Sequence, residues 1–403
     1  MKRFARKYVE FLRQPDVLPL LAVALFARMP IGMMGFAMLM YLREALGDFA
    51  RAGTAVGINF VVMALAAPIQ GRLIDRHGPR KLLYLTGIVQ PLALVGVLAS
   101  PKLGWPFATL ATFAALAGAF ASPITTLTRT MWRNMFEREE DRRTAFALDA
   151  VMIEVNFVLG PAIMAAILAS VGTTPAFALA ILAVGAAVLV FVGSRAPGQF
   201  RRIRDAERHF LGPLTEPRLL LVFASTFGEA TAIGMLEVGY PAYGVALAAP
   251  AIGGLLLSIN SFGSAIGGAM YGGLHFHARI ERQFAATLGL MSVPLVLHAI
   301  APTTALFACA AFFAGALIAP SIAAQSVLVS RMAPAHYATE AFTWSSSCIV
   351  AGIGIGEAVG GVLVETTGLR SAFAVAGAIV ASMALLALTI PGPRRAARAS
   401  AAD

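Results

Sequence analysis

Arg28, Asp149, Glu154, Glu229, Glu237 and Glu357 are ionisable side chains set inside long runs of Ala, Leu, Val, Gly and Phe. A charge in such a run costs about 2.5–3.5 kcal/mol on insertion scales and marks a route for ions or polar substrate. A carboxyl group there can hold a proton and pass it on, which is the chemistry of a coupling site. Glu229 has no cation at its depth other than Arg28, in the first run, and it is the first choice for that role. Arg28 and Glu154 have opposite charge at similar depth, so a buried structural pair is the alternative for those two. Asp149 lies nearer one end of its run and can equally be a helix-end group, Glu357 lies toward the other end, and Glu237 reads as interfacial.

The elements that must position these groups follow from composition. The chain has 403 residues, 58% of them hydrophobic and only 13% charged, with a mean hydropathy of +0.77. A soluble domain carries about 25% charged residues, so this is a membrane protein. About 20 apolar residues cross a bilayer core as a helix. Twelve runs of that kind fall at 18–42, 52–71, 82–100, 106–128, 145–170, 175–193, 218–240, 249–274, 284–301, 304–329, 339–365 and 370–390. Their length, without ten-residue alternation, predicts helices and not barrel strands. The ninth is the shortest and reads as closed by Pro294 and Pro302.

The formal charge of +10 is not spread evenly. Of the 31 Lys and Arg, only Arg43, Arg51, Lys102 and Arg370 fall in odd-numbered turns, and Arg28 lies within a span. The others occupy the termini and the even-numbered turns, which predicts cytoplasmic termini in a cell membrane. That location argues against a nucleic-acid partner. MKRFARKYVEFLRQ is basic like a signal peptide, but the run after it is long and lacks a small-residue cleavage site, so it reads as an uncleaved first span. Cys309 and Cys348 are too far apart in sequence, in apolar segments, to suggest a disulfide or metal site.

The longest polar interruption, 194–217, divides the chain into halves at 1–193 and 218–403, the latter ending in a short basic tail. A shift of 196 residues superposes Ala145-Phe146 on Ala341-Phe342, Gly160 on Gly356, Gly172 on Gly368, and Ala176-Phe177-Ala178 on Ala372-Phe373-Ala374. The fold expected is all-α: twelve transmembrane helices as two pseudo-symmetric six-helix bundles.

The turn after the second span reads GRLIDRHGPRK. Gly71-x-Leu73-x-Asp75-Arg76-x-Gly78-x-Arg80-Lys81 resembles the signature loop of the major facilitator superfamily, here with Pro79 where a basic residue is common. The second half keeps Gly273-Leu274 at the corresponding place and lacks the Asp. The resemblance covers the whole chain and implies a twelve-helix bacterial branch of efflux type. It implies that Asp75, Arg76, Arg80 and Lys81 latch the halves together, with Arg129 and Arg133 as partners of the latch. It also implies that spans one, four, seven and ten line a central cavity, with three, six, nine and twelve outside. The antiporter pattern of the fifth span survives as Gly160-Pro161, and Gly352-x-x-x-Gly356-Glu357-x-x-Gly360-Gly361 repeats it with Glu for Pro.

Asn156, Asn260 and Trp344 are the polar candidates for the cavity wall, while His298 reads as peripheral. The methionines from Met29 to Met40 suit a flexible apolar surface, though core or lipid packing explains them better. No GxxxxGK[ST] loop and no His/Asp or Ser/His set is found, so no enzyme and no cofactor are expected. The reading is a monomeric secondary transporter moving a small amphipathic or hydrophobic molecule by alternating access, with proton-coupled export. Its partners are that substrate, protons and membrane lipids. The rival readings are proton-coupled uptake of a small metabolite and lipid or lysolipid translocation or sensing without coupled flux.

Overall fold

A computed structural model of the protein describes residues 11–12, 14, 17–136, 138–194, 212–274, 277–333 and 338–391. Among these there is no strand. The first half comprises α1 (Val17–Leu46), α2 (Phe49–His77), α3 (Pro79–Lys102), α4 (Phe107–Ala119), α5 (Ile124–Met135), α6 (Glu139–Val171) and α7 (Thr173–Gly193). A 3-10 turn at Gly212–Thr215 precedes α8 (Pro217–Ala246), α9 (Ala251–Gly273), α10 (Ile280–Ile300), α11 (Thr304–Met332), α12 (Ala338–Thr366) and α13 (Leu369–Leu388). Together they make twelve helical spans, all long and apolar enough to cross a membrane. Residues 17 and 388 lie on the same side, called here the terminal side; the opposite one is the far side.

The fourth span is broken into α4 and α5, and the sequence supplies both the break and its repair. Pro123 has no N–H, so Ala119 O loses its helical donor. Gln70 Nε2 on α2 donates to it instead at 2.9 Å. On the α3 side, Gln90 Oε1 accepts from Ser122 N at 3.1 Å. A backbone group freed in the apolar layer needs such a partner. Pro294, by contrast, does not close the ninth span: it sits inside α10, and the helix runs on to Ile300. Packed neighbours allow a proline inside a membrane helix, which the sequence expectation had underrated.

The charged stretch after the second span is also more helical than expected. α2 continues to His77, and Gly78 alone makes the turn, with φ +82° and Pro79 opening α3. Nothing lies within 4 Å of where a Cβ on Gly71 would sit, so no helix closes on it.

Packing repeats between the halves. α1 packs on α6 and α7 as α8 packs on α12 and α13; α2 packs on α4 as α9 packs on α11. Gly160 meets Gly32, where a Cβ would lie 2.5 Å from Gly32 C, and Gly356 meets Gly234, at 3.0 Å from its Cα. Asn59 Nδ2 donates to Ala114 O at 3.0 Å, and Asn260 Nδ2 donates to Ala311 O at 2.9 Å. Gly172 and Gly368 turn their chains at φ +88° and +91°. Small residues at these crossings let backbones touch, which is what holds helices together in lipid.

The halves meet along α2·α12 and α6·α9. Their closest backbone approaches lie in the far half: Gly53 against Glu357 O, Gly57 against Gly354 O, Gly361 against Phe49 O, and Gly254 against Pro161 O. Phe49 N donates to Glu365 Oε1 at 2.7 Å, and deeper in the seam Ser347 Oγ donates to Ala64 O at 3.2 Å.

Candidate functional site

Within the first half, α1 carries Arg28 eleven residues from its start and α6 carries Asp149 ten residues from its start. Equal depth brings Arg28 Nη1 to 2.8 Å from Asp149 Oδ1, with the two side chains 1% and 2% exposed. The guanidinium N–H groups are not aimed well enough to count as hydrogen bonds, so the contact is first a charge pair. α5, redirected by the break before it, adds Trp132, whose Nε1 donates to Asp149 Oδ1 at 3.0 Å. Arg129 on the same helix reaches Asp149 Oδ2 at 3.7 Å from its exposed position. Asp149 is thus the hub of a buried network and not a helix-end group.

The pairing of Arg28 with Glu154 is not what forms. Five residues separate Asp149 from Glu154, which turns Glu154 about 140° away around a helix of 3.6 residues per turn. It is half-buried there. The sequence reading placed Asp149 too near the helix end because it started the span at 145, whereas α6 begins at Glu139.

Among the described residues of the second half no matching cation is found. Glu229, 2% exposed on α8, lies beside Ser321 of α11. Neither Glu229 Oε1 nor Ser321 Oγ makes a hydrogen bond of good geometry, and Ser225 Oγ and Thr226 Oγ1 nearby are also unpartnered. Gln325 Nε2 donates to Ser345 Oγ one turn further along α11. Arg28 is already engaged by Asp149, so it does not serve as the counter-charge to Glu229.

A third group lies at the seam. Glu237 of α8 and Glu357 of α12 are each nine residues from the far end of their helices. Their carboxyl groups come within hydrogen-bonding reach of each other. Glu237 is half-buried. Its Oε2 points toward α1, 3.9 Å from where a Cβ on Gly35 would sit. Glu357 is 1% exposed, and its Oε2 has no hydrogen bond to a described donor.

Among the polar wall candidates, Asn156 is buried and donates through Nδ2 to Leu25 O at 3.3 Å, so it ties α6 to α1. Asn260 is buried between α9 and α11, where Nδ2 also meets Tyr240 Oη at 3.4 Å. Both asparagines lie inside helix packing and not on an open wall. Trp344 packs half-buried on the second-half core. Met33, Met38 and Met40 are buried in the first-half core. Arg76, Arg80 and Lys81 are exposed on the terminal side; the side chains of Asp75 and Arg133 lie outside the described residues, as does most of the 194–217 segment.

Two features escaped the sequence reading. His298 is 3% exposed and not peripheral: its Nδ1 contacts Pro294 O at 2.6 Å, and its ring stacks on Phe373 at 4.7 Å. Tyr240 and Phe307 complete that aromatic cluster. Asn59 is the other; it precedes Asn260 by 201 residues, so the shift of 196 read from the fifth and sixth spans does not align the two, and their equivalence shows only in their matching bonds to Ala114 O and Ala311 O.

The Major Facilitator Superfamily model matches residues 20–293. The chain is 24% identical over 400 residues to proteins named multidrug efflux pump Tap, covering 93% of this chain and 92% of theirs. They come from Mycobacterium bovis (strain BCG / Pasteur 1173P2) and Mycobacterium tuberculosis (strain ATCC 25618 / H37Rv). Among solved structures, the nucleoside transporter NupG (D323A mutant) superposes with a TM-score of 0.75 at 12% identity, covering 93% of this chain and 99% of that one. A bacterial homologue of the iron transporter ferroportin, in an inward-facing state, superposes with a TM-score of 0.71 at 15% identity, covering 93% and 99%.

Proposed function

Because the chain belongs to the Major Facilitator Superfamily, we propose that it is a proton-coupled exporter of a small amphipathic or hydrophobic molecule, working by alternating access. The observation that carries this reading is the way the halves meet. Their tightest contacts are small-residue contacts in the far half, around Gly53, Gly57, Gly354 and Gly361. A seam of that kind can separate by rigid-body rocking without breaking either six-helix core. The likeness to multidrug efflux pumps over nearly the whole chain supports the outward direction.

In this reading the terminal side is cytoplasmic, as the Lys and Arg distribution suggests. Residues 194–217 link the halves there, and the loop carrying Gly71, Asp75, Arg76, Gly78, Arg80 and Lys81 latches them in the opposite phase of the cycle. The Arg28–Asp149 network stiffens the first half. Glu229 and Glu357, buried with no ion pair to a described cation, are the groups that support proton coupling.

The test is flux in inside-out proteoliposomes, with ethidium and Nile red as probes and an imposed pH gradient. Gradient-driven accumulation that a protonophore collapses is the expected result. Equal dye movement with and without the gradient would reject coupled export.

A further inference from the structure

We propose that Glu237 and Glu357 together form a proton-held seal on the far side of the seam. The inference rests on the exporter reading and deepens it by naming a site for the proton.

The geometry begins with the two carboxyl groups facing each other between α8 and α12. A hydrogen bond between two carboxyl groups requires one proton, bonded to an oxygen of one and accepted by the other. Two ionised carboxylates in that contact would repel, with only one of them reaching water. Glu357 Oε2 has no hydrogen bond to a described donor, in a residue that is 1% exposed. Both elements that cover the pair belong to the other half. Gly35 of α1 lies under Glu237, and Gly53 of α2 sits where a Cβ would be 2.4 Å from Glu357 O. Closing the far side therefore buries Glu357 and leaves Glu237 only partly exposed.

Charged and titratable groups on the surrounding helices are engaged elsewhere. On α1, Arg28 pairs with Asp149, Tyr41 Oη donates to Leu98 O at 2.5 Å, Arg43 lies over the Phe49 ring at 5.5 Å two turns further toward the far end, and Glu44 Oε2 accepts from Thr173 Oγ1 at 2.7 Å. On α2, Arg51 pairs with Asp48 at the far end. On α12, Glu365 accepts from Phe49 N; on α8, Tyr240 Oη meets Asn260, and Glu229 lies two turns away beside Ser321. On α9, which packs on α8, Tyr271 is at the terminal end; on α13, Arg370 is exposed at the far end. Among the described residues no cation faces the pair.

A proton then favours the far-closed state, since a ligand that binds one state better shifts the population toward it. With the far side open, water delivers the proton to the pair. Once the far side closes, the partly exposed Glu237 is the exit, and the proton leaves toward the terminal side.

The experiment uses the full chain in nanodiscs, with Cys309→Ser and Cys348→Ser, and with spin labels at Ala45→Cys and Thr366→Cys across the far seam. Double electron–electron resonance distances are recorded from pH 9 to pH 5. In the otherwise native chain the distance should shorten as pH falls. Glu357→Gln, which imitates the protonated group, should hold the short distance at every pH, and Glu237→Gln should likewise lose the pH response. Either variant responding like the parent, or a parent with no response, overturns the seal. If one variant fails to give a monodisperse sample, the other decides. No substrate is needed, so loss of gradient-driven dye flux with an intact distance response would sink the exporter reading alone.

Discussion

Arg28 on α1 and Asp149 on α6 place opposite charges 2.8 Å apart in a layer where neither can reach water. Trp132 and Arg129 surround the same carboxylate, so one aspartate satisfies three helices. Its role follows from the cost of stranding a charge. A buried pair is weak as net stabilisation, but removing one partner is severe.

Asp149→Ala should therefore destabilise the protein by about 3–5 kcal/mol, because it leaves the guanidinium uncompensated. Thermal unfolding in detergent should show a clear drop in midpoint. Replacing both residues, as Arg28→Met with Asp149→Leu, should recover much of it. Equal damage from the single and the double replacement would show that the pair is not what the site needs.

The seam makes a second demand. A Cβ on Gly57 would lie 2.3 Å from Gly354 O, and that atom is backbone and cannot step aside. Gly57→Val should disfavour the far-closed state by about 1–3 kcal/mol, the usual cost of overpacking, which is a shift of about 5- to 150-fold in population. Far-side label distances should lengthen and flux should fall, while the folded fraction stays near that of the parent. Unchanged distances would mean that the helices part more easily than their contacts suggest.

Asp48 caps α2 on the far side, where its Oδ1 accepts from Arg51 N at 2.6 Å and its Oδ2 accepts from Arg51 Nε at 2.6 Å. Partial burial pulls its carboxyl upward, but the hydrogen bonds and charge of Arg51 outweigh that and hold it below the usual range. A depressed carboxyl stabilises the fold above its unfolded value and loses that contribution as pH falls through the folded one. Asp48→Ala should cost about 1 kcal/mol near neutral pH. Its difference from the parent should shrink below about pH 4, as followed by unfolding midpoints across pH. A constant difference down to pH 3 would assign the loss to packing.

Glu229→Gln offers a direct comparison with the seam carboxyls. Glu229 sits in the core of the second half, against Ser321 and away from the seam. If it carries the coupled proton, gradient-driven flux should vanish in the variant while far-side distances keep their pH response. If the seam pair carries it, Glu229→Gln should retain flux and Glu357→Gln should lose it. The two variants measured side by side in the same vesicles decide between them.

The span count and the two-half layout were legible from residues alone, because both depend on local quantities. An apolar run of about 20 residues has one stable form in lipid, and a shift of 196 is visible in the fifth and sixth spans of each half, where glycine marks a backbone contact or a turn, as at Gly160/Gly356 and Gly172/Gly368. What needed the tertiary structure was partnership. Asp149 and not Glu154 meets Arg28 because α6 starts at Glu139, beyond the apolar run, and because helix rotation sets which carboxylate turns inward. That Glu237 and Glu357 come within reach of each other follows from α8 and α12 crossing with the two residues at equal depth. Hydropathy gives the position of a residue along a helix; which side chains face each other is fixed by where glycine lets two backbones close together.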